Sequence, residues 1–431
     1  MLSLIIVASI LVAIAVGYKT KYNVGFFAIV FAYLIGCFLM DMKPSAVIAK
    51  WPVSIFFVIF SVSLFFNFSV VNGTMEKLAL KLVHACRNMP IMVPYVIFLV
   101  TALISAMGVG FYASVAFMAP IGLALGDQLK LDKLSAGFLV NAGACVGANF
   151  MTGGNGVIFL GLFDTLGYGE SRIAMCLAIT IAGFFSMLFM ATGYIFLPKR
   201  NRGFYKGQTT FDRAEPFTAK QKINLWLIAI MMAIVLLLPV LKTLTGNPDI
   251  AWLAGKADIG LVAIIFVVIA LFLKLGDEKQ AIAKVPWHTL IMICGTGMLI
   301  AIAVEAGTLK LLSNWISDNI PLIWIPLVVS LVASAMSFFS STGSVVAPAL
   351  FPMVPILAES SRISPMLLFI MIIVGAQASA ISPFSSGGSL ILASCSNDED
   401  RNALFPRMIF FAVPVCVGFA TIYNFVLSLV W

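Results

Sequence analysis

The chain has 431 residues, of which 61% are hydrophobic and only 10% are charged, and its mean hydropathy is +1.08. A soluble globular domain carries about 25% charged residues, so this composition excludes water as the main solvent of the folded chain. The net charge of +8 could suit nucleic acid, but most Lys and Arg residues lie in short segments between apolar stretches, where the positive-inside rule places them. The composition therefore predicts a multi-pass membrane protein embedded in a lipid bilayer, with no nucleic acid partner.

Ten apolar stretches are each long enough to cross a bilayer, which takes about 20 helical residues. They lie at 2–17, 23–40, 52–73, 134–162, 173–197, 223–244, 258–274, 286–304, 364–393 and 406–430. No positive residues precede the first stretch, as they would in a secretory signal peptide, so we expect a retained helix there. Two further stretches, 92–123 and 320–357, carry Pro, Gly and Ser near their middles and are interpreted as re-entrant hairpins.

The basic residues predict how the chain is oriented in the membrane. With the N-terminus outside, most of the 26 Lys and Arg residues fall in segments on the cytoplasmic side. The largest group lies between Lys199 and Lys222. We therefore expect the cytoplasmic (inner) membrane as the location and the segment 199–222 as a cytoplasmic linker.

The residues that usually bind metals or carry out catalysis are scarce. The seven cysteines lie mostly inside apolar runs without C-x-x-C spacing, and the chain has only two histidines. This pattern is typical of buried cysteines rather than of a zinc site or a catalytic thiol. Since an enzyme needs a general base or a metal in its cavity, we do not expect an enzyme.

The two halves of the chain resemble each other. When the second half is aligned with the first so that Pro286 falls on Pro52, Gly307-Thr308 falls on Gly73-Thr74, and the segment 384–389 falls on 150–155; we call this the repeat alignment. The hairpins share a Ser-Ala-Met entry, at Ser105 and Ser334, and an Ala-Pro exit, at Ala119 and Ala347. Each half contains five predicted spans, an odd number, so the second half is predicted to be inserted upside down, as in many secondary transporters.

The repeat divides the chain into corresponding parts. The N-terminal half covers 1–198 and the C-terminal half covers 223–431. Each half has an amphipathic segment after its third span, at 74–91 and at 305–319, and these segments are predicted to lie in the membrane surface.

Polar, glycine-rich residues inside two spans predict breaks in the helices. These residues are 152–156 and 385–389, near the middle of their spans. Freed backbone groups are tolerated at this depth only where protein or a wet cavity covers them. The N-terminus of a helix suits a carboxylate, and the carbonyl groups at a C-terminus suit a cation.

The predicted site carries no ionisable side chain. Asp, Glu, Lys, Arg and His are absent from 92–123, 134–162, 320–357 and 364–396. A proton-coupled carrier usually has a titratable group in its pathway, so the absence favours sodium coupling. Hydroxyl and amide side chains around the breaks and the second hairpin tip are the candidates for substrate binding: Asn149, Thr152, Asn155, Ser341, Thr342, Ser385, Ser386 and Ser389.

These residues resemble the divalent anion:sodium symporters of the ion transporter superfamily, including malonate and C4-dicarboxylate carriers. The most specific parts are Ser340-Ser341-Thr342 followed by Ala347-Pro348, and the segment 382–388. Ser341 stands where that family has Asn, and the first tip lacks the Ser-Asn-Thr signature.

The resemblance implies a homodimer that moves a small dicarboxylate by an elevator mechanism, with Na⁺ as the coupling ion. The scaffold would be 1–73 and 223–304, and the transport domain would be the two hairpins with 134–197 and 364–430. Sodium sites would join each tip to a helix break, using Ser105, Gly108 and Gly110 with Gly153 and Gly154, and Ser340, Ser341 and Thr342 with Ser386 and Gly387.

Several alternatives stay open. The same fold could carry a monocarboxylate or another anion, or could exchange sodium for protons, although the missing buried carboxylate argues against an antiporter. A channel or a membrane enzyme is a further alternative, and inverted halves favour a carrier over both.

Overall fold

The computed structural model describes residues 2–20, 22–85, 91–201, 215–245, 247–308, 311, 319–321, 324–395 and 397–430. These residues form helices joined by short turns, and none of them lies in a β-strand. The helices of the first half are α1 (Leu2–Thr20), α2 (Val24–Leu34), α3 (Pro44–Ile48), α4 (Val53–Val71), α5 (Thr74–Ala85), α6 (Val93–Ile104), α7 (Phe111–Leu129), α8 (Lys133–Asn149), α9 (Gly154–Thr165) and α10 (Arg172–Phe196).

The second half repeats much of this order. Its helices are α11 (Ala219–Thr245), α12 (Pro248–Lys256), α13 (Ile259–Phe272), α14 (Glu278–Ala283), α15 (Trp287–Glu305), α16 (Ile325–Phe339), α17 (Ala347–Leu350), α18 (Val354–Ser361), α19 (Pro365–Ala378), α20 (Ser386–Ala393), α21 (Asp398–Arg407) and α22 (Val413–Val430). Turns of π-helix lie at Ile35–Leu39, Ser105–Val109, Thr342–Val346 and Met408–Ala412.

Two helices show how closely the halves correspond. Helices α4 and α15 each have 19 residues, and each is preceded by a proline, Pro52 or Pro286. Gly73 and Gly307 follow them with φ angles of 72° and 71°, a region that a residue with a Cβ rarely adopts. In the repeat alignment, a proline therefore precedes and a glycine follows both of these corresponding helices.

These helices pack crosswise between the halves. Helix α2 contacts α15, and α13 contacts α4, so the predicted scaffold is held together by contacts between the halves. At Gly25 and Gly295 the backbones of α2 and α15 come so close that a Cβ on either glycine would overlap the other helix. In the second pair, Phe65 and Phe266 meet edge to face with their ring centroids 5.6 Å apart.

Each hairpin packs against the broken helix of its own half. Helix α6 contacts α8, and α16 contacts α19. Ser105 donates to the carbonyl of Ala144 at 2.9 Å, and Ser334 donates to the carbonyl of Gly375 at 2.6 Å. The serine of each Ser-Ala-Met entry thus bonds to the backbone of the neighbouring broken helix.

Both predicted helix breaks occur, but each lies a few residues earlier than the sequence predicted. Residues 150–153 separate α8 from α9, and residues 379–385 separate α19 from α20. Most of the polar residues predicted to interrupt the helix instead form the first turn of the next helix. Small residues are needed there, since a Cβ on Gly156 would overlap the carbonyl of Phe150.

Four helical stretches are long and apolar enough to cross a membrane, judged by length and composition among the described residues. They are Lys133–Thr165, Arg172–Phe196, Thr342–Ser361 and Asp398–Val430. Pro248–Ala254 and Ile259–Phe272, bent by 78° at their junction, together form a fifth candidate. Several shorter apolar helices coincide with other predicted spans, and the predicted total of ten spans stays a prediction.

Parts of several predicted segments lie outside the described residues, among them 322–323 of the second hairpin. Helix α5 covers 74–85 of the first amphipathic segment, whereas 86–90 are not described. Of 305–319, residues 309–310 and 312–318 are not described, and neither are 202–214 of the linker.

Candidate functional site

A cavity of about 180 Å³ lies where the first hairpin tip, the first helix break and α4 meet. Its lining includes Gly108 and Gly110 from the tip, Thr152 from the break, Gly154 and Asn155 from the first turn of α9, Ile59, Ser63 and Asn67 from α4, and Lys284 and Ser344 from the second half. Drug-sized ligands occupy pockets of about 300–1,000 Å³, so this cavity suits a small molecule. We call it the large cavity.

Glycine shapes the first hairpin tip. Gly108 and Gly110 both have φ near 83°, a left-handed conformation that reverses the chain between the two arms. A Cβ on Gly108 would also overlap the ring of Phe66 on α4. The hydroxyl of Thr152 donates to the carbonyl of Ala106, so the first break is bonded directly to the first tip.

A second cavity of about 30 Å³ lies beside the large one, between the second tip and the second break. Its lining includes the hydroxyl residues Ser337, Ser340, Ser341, Thr342, Ser385 and Ser386, together with Gly343, Gly387, Asn155, Cys145, Ala380, Phe111 and Tyr112. A water molecule takes about 30 Å³ in the liquid, so the space matches one water or one small ion. We call it the small cavity.

The hydroxyl residues around the small cavity begin the helical turns that surround it. Ser341 accepts a hydrogen bond from the amide of Ser344 at 3.3 Å. Ser385 donates to the carbonyl of Ala380 at 2.7 Å and accepts from the amide of Gly388 at 3.5 Å. Helix α20 therefore begins at the small cavity, with its partial positive charge directed there.

Asn155 belongs to both cavities. It lines the large cavity and the small one, and a Cβ on Gly343 would overlap its side-chain amide. The first turn of α9 therefore contacts the second tip, a pairing across the halves that the sequence did not predict. Glycine at 343 allows this close approach.

A buried amide pair joins the two broken helices beneath the cavities. Gln377 on α19 donates to Asn149 Oδ1 at 2.9 Å and to the carbonyl of Cys145 at 3.1 Å. Asn149 is fully buried, and its side-chain nitrogen has no hydrogen-bond partner among the described residues. Asn149 thus connects the breaks to each other and lines neither cavity.

An unpaired carbonyl oxygen faces the second break. Asn141 on α8 is 1% exposed, its Oδ1 has no hydrogen-bond partner in the described part of the chain, and a Cβ on Gly387 would overlap it. Leaving a buried acceptor unpaired costs about 1–3 kcal/mol. A bound cation would satisfy this oxygen.

The structure brings most of the predicted site residues together, but not all of them. Thr152, Asn155, Gly108, Gly110 and Gly154 line the large cavity, and Asn155, Ser340, Ser341, Thr342, Ser385, Ser386 and Gly387 line the small one. Four predicted residues line neither cavity: Asn149, Ser105, Gly153 and Ser389. Ser389 is exposed and donates to the carbonyl of Ser386 at 3.0 Å.

Sequence reasoning missed several residues of the site. Asn67 and Lys284 come from segments predicted as scaffold and loop, and Asn141 lies two turns before the first break. Ser337 lies just before the predicted hydroxyl cluster of the second tip. Among these missed residues, Lys284 is the one that a sequence pattern marks, because it aligns with Lys50 in the repeat alignment.

The electrostatic character of the site comes almost entirely from dipoles. Among the described residues that line the two cavities, Lys284 is the only charged one. In the described part of the chain, no group of three or more His, Cys, Asp and Glu residues is placed to hold a metal ion. Besides Lys284, the polar groups that the described residues offer at the two cavities are hydroxyls, side-chain amides, backbone groups and helix ends.

Comparison with known proteins points to membrane carriers. Residues 1–148 match the family model of the dicarboxylate carrier protein MatC N-terminus. Among solved structures, the chain is similar to the YdaH transporter of Alcanivorax borkumensis, with a TM-score of 0.54 and 15% identity over 89% of this chain and 88% of that one. It is also similar to MtrF of Neisseria gonorrhoeae, described with a class of antimetabolite efflux pumps, with a TM-score of 0.58 and 13% identity over 92% of this chain and 84% of that one.

No curated protein matches the chain. At 13–15% identity, the two structures show a shared fold, while the family model concerns the first third of the sequence. Together with the apolar helices, these findings indicate a multi-pass membrane transporter rather than an enzyme.

Proposed function

We propose that the chain is a secondary active transporter that takes up small dicarboxylates together with sodium ions across the cytoplasmic membrane. The observation that carries the proposal is the pair of adjoining cavities, built from two hairpin tips and two helix breaks. The match of residues 1–148 to a dicarboxylate carrier model supports the substrate class.

The large cavity is the proposed substrate site. Helix α9 begins at Gly154, which lines this cavity, and the N-terminus of a helix attracts a carboxylate. Asn155 and Ser344 add an amide and a hydroxyl that can donate hydrogen bonds to a carboxylate. The volume of about 180 Å³ favours a short-chain anion over a larger one.

The small cavity is the proposed site for a coupling ion. Sodium is bound by oxygen atoms, and the lining offers hydroxyl oxygens without a carboxylate that would also titrate with protons. The unpaired Oδ1 of Asn141 near Gly387 supports a cation near the second break. Asn155 lies at both cavities, so the position of its side chain can make the binding of one ligand depend on the other.

The resemblance to the divalent anion:sodium symporters leads us to propose an elevator mechanism and a homodimer as well. The hairpins and broken helices pack on each other, while α2, α4, α13 and α15 form a crosswise set that contacts them through α4 and α15. This division is what a moving transport domain and a fixed scaffold would need. Light scattering of the purified protein in detergent would give the mass of the assembly, and a monomer would contradict the homodimer.

The direct test is uptake of labelled succinate, malate or malonate into proteoliposomes. We expect uptake to need an inward sodium gradient and to stop when potassium replaces sodium. Uptake driven equally well by a proton gradient without sodium would contradict the sodium coupling. Sodium-driven uptake of monocarboxylates, with no response to dicarboxylates, would contradict the substrate class.

A further inference from the structure

Lys284 is the one charged residue that the described part of the chain places at the two cavities. It lines the large cavity from the scaffold side, next to Pro286 at the start of α15. Its side chain is exposed, and no ion pair is formed with it in the described part of the chain. A lysine ammonium with no acidic partner is free to bind an anion.

The backbone that carries Lys284 is held firmly against the cavity wall. Asn67 on α4, which itself lines the large cavity, donates to the carbonyl of Ala281 at 3.0 Å. Trp287 Nε1 donates to the carbonyl of Ile282 at 3.1 Å, on the other side of the lysine. Lys284 directly follows the last residue of the short helix α14, three residues after Ala281, so the bond from Asn67 holds this segment against α4.

The other half carries a corresponding lysine, which lines neither the large nor the small cavity. Lys50 corresponds to Lys284 in the repeat alignment, and its ammonium pairs with Glu305 at 2.6 Å. The position that corresponds to Glu305 in the first half is Val71. The repeat therefore retains both lysines but supplies an acidic partner to only one.

The repeat alignment also relates two cavities that differ in size. Residues 62 and 296, which correspond in the repeat alignment, line the large cavity and an apolar cavity of about 20 Å³ respectively. The lysine without an ion pair thus lines the larger of these two cavities, whereas Lys50 lines neither of them. In the orientation predicted from the basic residues, segment 274–285 faces the cytoplasm.

We propose that Lys284 is a specificity-determining residue whose ammonium binds the second carboxylate of a divalent anion in the large cavity. This inference rests on the proposed dicarboxylate function and adds a residue that separates divalent from monovalent anions. One carboxylate is held by the helix end and neutral donors, whereas only a second carboxylate reaches the lysine. Because Lys284 belongs to the scaffold, the contact exists only while the cavity lies against that part of the scaffold.

The test compares Lys284→Gln with the matched variant Lys50→Gln in proteoliposomes of known orientation. We expect Lys284→Gln to raise the KM for succinate about three- to tenfold from the cytoplasmic side, the size expected for one partly exposed charge contact. The KM for butyrate and the dependence on sodium should stay the same. Lys284→Arg should restore the wild-type KM for succinate, and Lys50→Gln should leave it unchanged.

A thiol variant keeps the test independent of how one substitution folds. Lys284→Cys treated with an aminoethyl methanethiosulfonate regains a positive charge and should recover succinate transport, whereas a sulfonatoethyl reagent should lower it further. Wild-type protein treated with the same reagents controls for native cysteines, most of which are buried in the described part of the chain.

Each result decides between the two proposals. If the wild type carries succinate and folded Lys284→Gln does so with an unchanged KM, the role of Lys284 is refuted and the proposed function stands. If the wild type neither binds nor carries any dicarboxylate, both proposals fail together. Equal effects of Lys284→Gln on succinate and butyrate would also refute a role in discriminating divalent anions.

Discussion

The first hairpin tip is built from glycines, whereas the second is built from hydroxyl residues. Gly108 and Gly110 turn the first tip and leave its backbone facing the large cavity. In the second tip, four hydroxyl residues fall within the five positions 340–344, and most of them line the small cavity. The comparison therefore contrasts a roomy cavity at one tip, proposed for the anion, with a tight cavity lined by hydroxyl groups at the other, proposed for the cation.

The largest effect that we predict concerns the first tip. Gly108→Ala places a Cβ against the ring of Phe66 at a φ of 83°. The left-handed conformation costs about 1–2 kcal/mol, and the overlap costs about 1–3 kcal/mol more. We expect transport of succinate to fall to about one hundredth of the wild-type rate, measured in proteoliposomes with matched amounts of protein.

Gly167→Ala is the matched control for this substitution. Gly167 has a φ of 85°, but a Cβ there would meet no atom within 4 Å. It should therefore lose stability through the backbone alone and keep most of its transport activity. Equal loss in both variants would mean that conformation, and not the contact with α4, makes the glycine necessary at position 108.

The N-terminal ends of the two broken helices offer a second comparison. Among the described residues, ion pairs join the start of α8 to α21, whereas no ion pair joins α19 to α21. Arg407 donates to both carboxylate oxygens of Asp132 at 3.0 and 2.7 Å, and the Asp132 side chain is only 7% exposed. The residue that begins α19 in the same way is Ser364, which is uncharged. Arg407→Leu leaves a buried carboxylate without this partner and should lower the free energy of unfolding by about 2–3 kcal/mol.

Unfolding in a titration of sodium dodecyl sulfate would measure this loss. Arg172→Leu is the control, because its ion pair with Asp164 is about one-third to two-fifths exposed. Such a pair contributes about 0–1 kcal/mol. A loss for Arg407→Leu no larger than that of the control would show that this ion pair does not stabilise the first broken helix.

The sequence predicted the scaffold helices better than the breaks. Helix α15 begins one residue after the predicted span 286–304 begins, because Pro286 cannot continue a helix from the preceding residues and marks its start. The breaks were displaced because glycine and serine serve equally well to interrupt a helix and to begin one. At Gly154 and Ser386, the structure uses them to begin helices.

The site was predictable only where its residues cluster along the chain. Thr342 and Ser386 stand in runs of hydroxyl residues, and such runs are visible in a single sequence. Asn67, Asn141 and Lys284 stand alone in their segments, and only tertiary packing brings them to the cavities or to the second break. Even the contact of Asn155 with the second tip depends on how the two halves pack together, which no local pattern records.

Removing single hydroxyls from the small cavity should weaken the apparent affinity for sodium more than the apparent affinity for the substrate. Thr342→Ala and Ser386→Ala each remove one oxygen from the lining, and a lost contact of about 1.4 kcal/mol corresponds to a tenfold change. We expect the sodium concentration for half-maximal uptake to rise about tenfold in each variant. Ser389→Ala, which alters an exposed hydroxyl outside both cavities, should change neither the sodium nor the succinate dependence.

The smallest predicted effect separates two neighbours within one tip. Ser344 lines the large cavity, whereas Thr342, two residues earlier, lines the small one. Because a neutral hydrogen bond contributes about 0.5–1.5 kcal/mol, Ser344→Ala should raise the KM for succinate about threefold and leave the sodium dependence unchanged. Measuring both dependences in both variants gives a direct comparison, since a general loss of folding would change all four values together. If Ser344→Ala changed the sodium dependence and Thr342→Ala changed the succinate dependence, the large cavity would be the ion site and the small cavity the anion site.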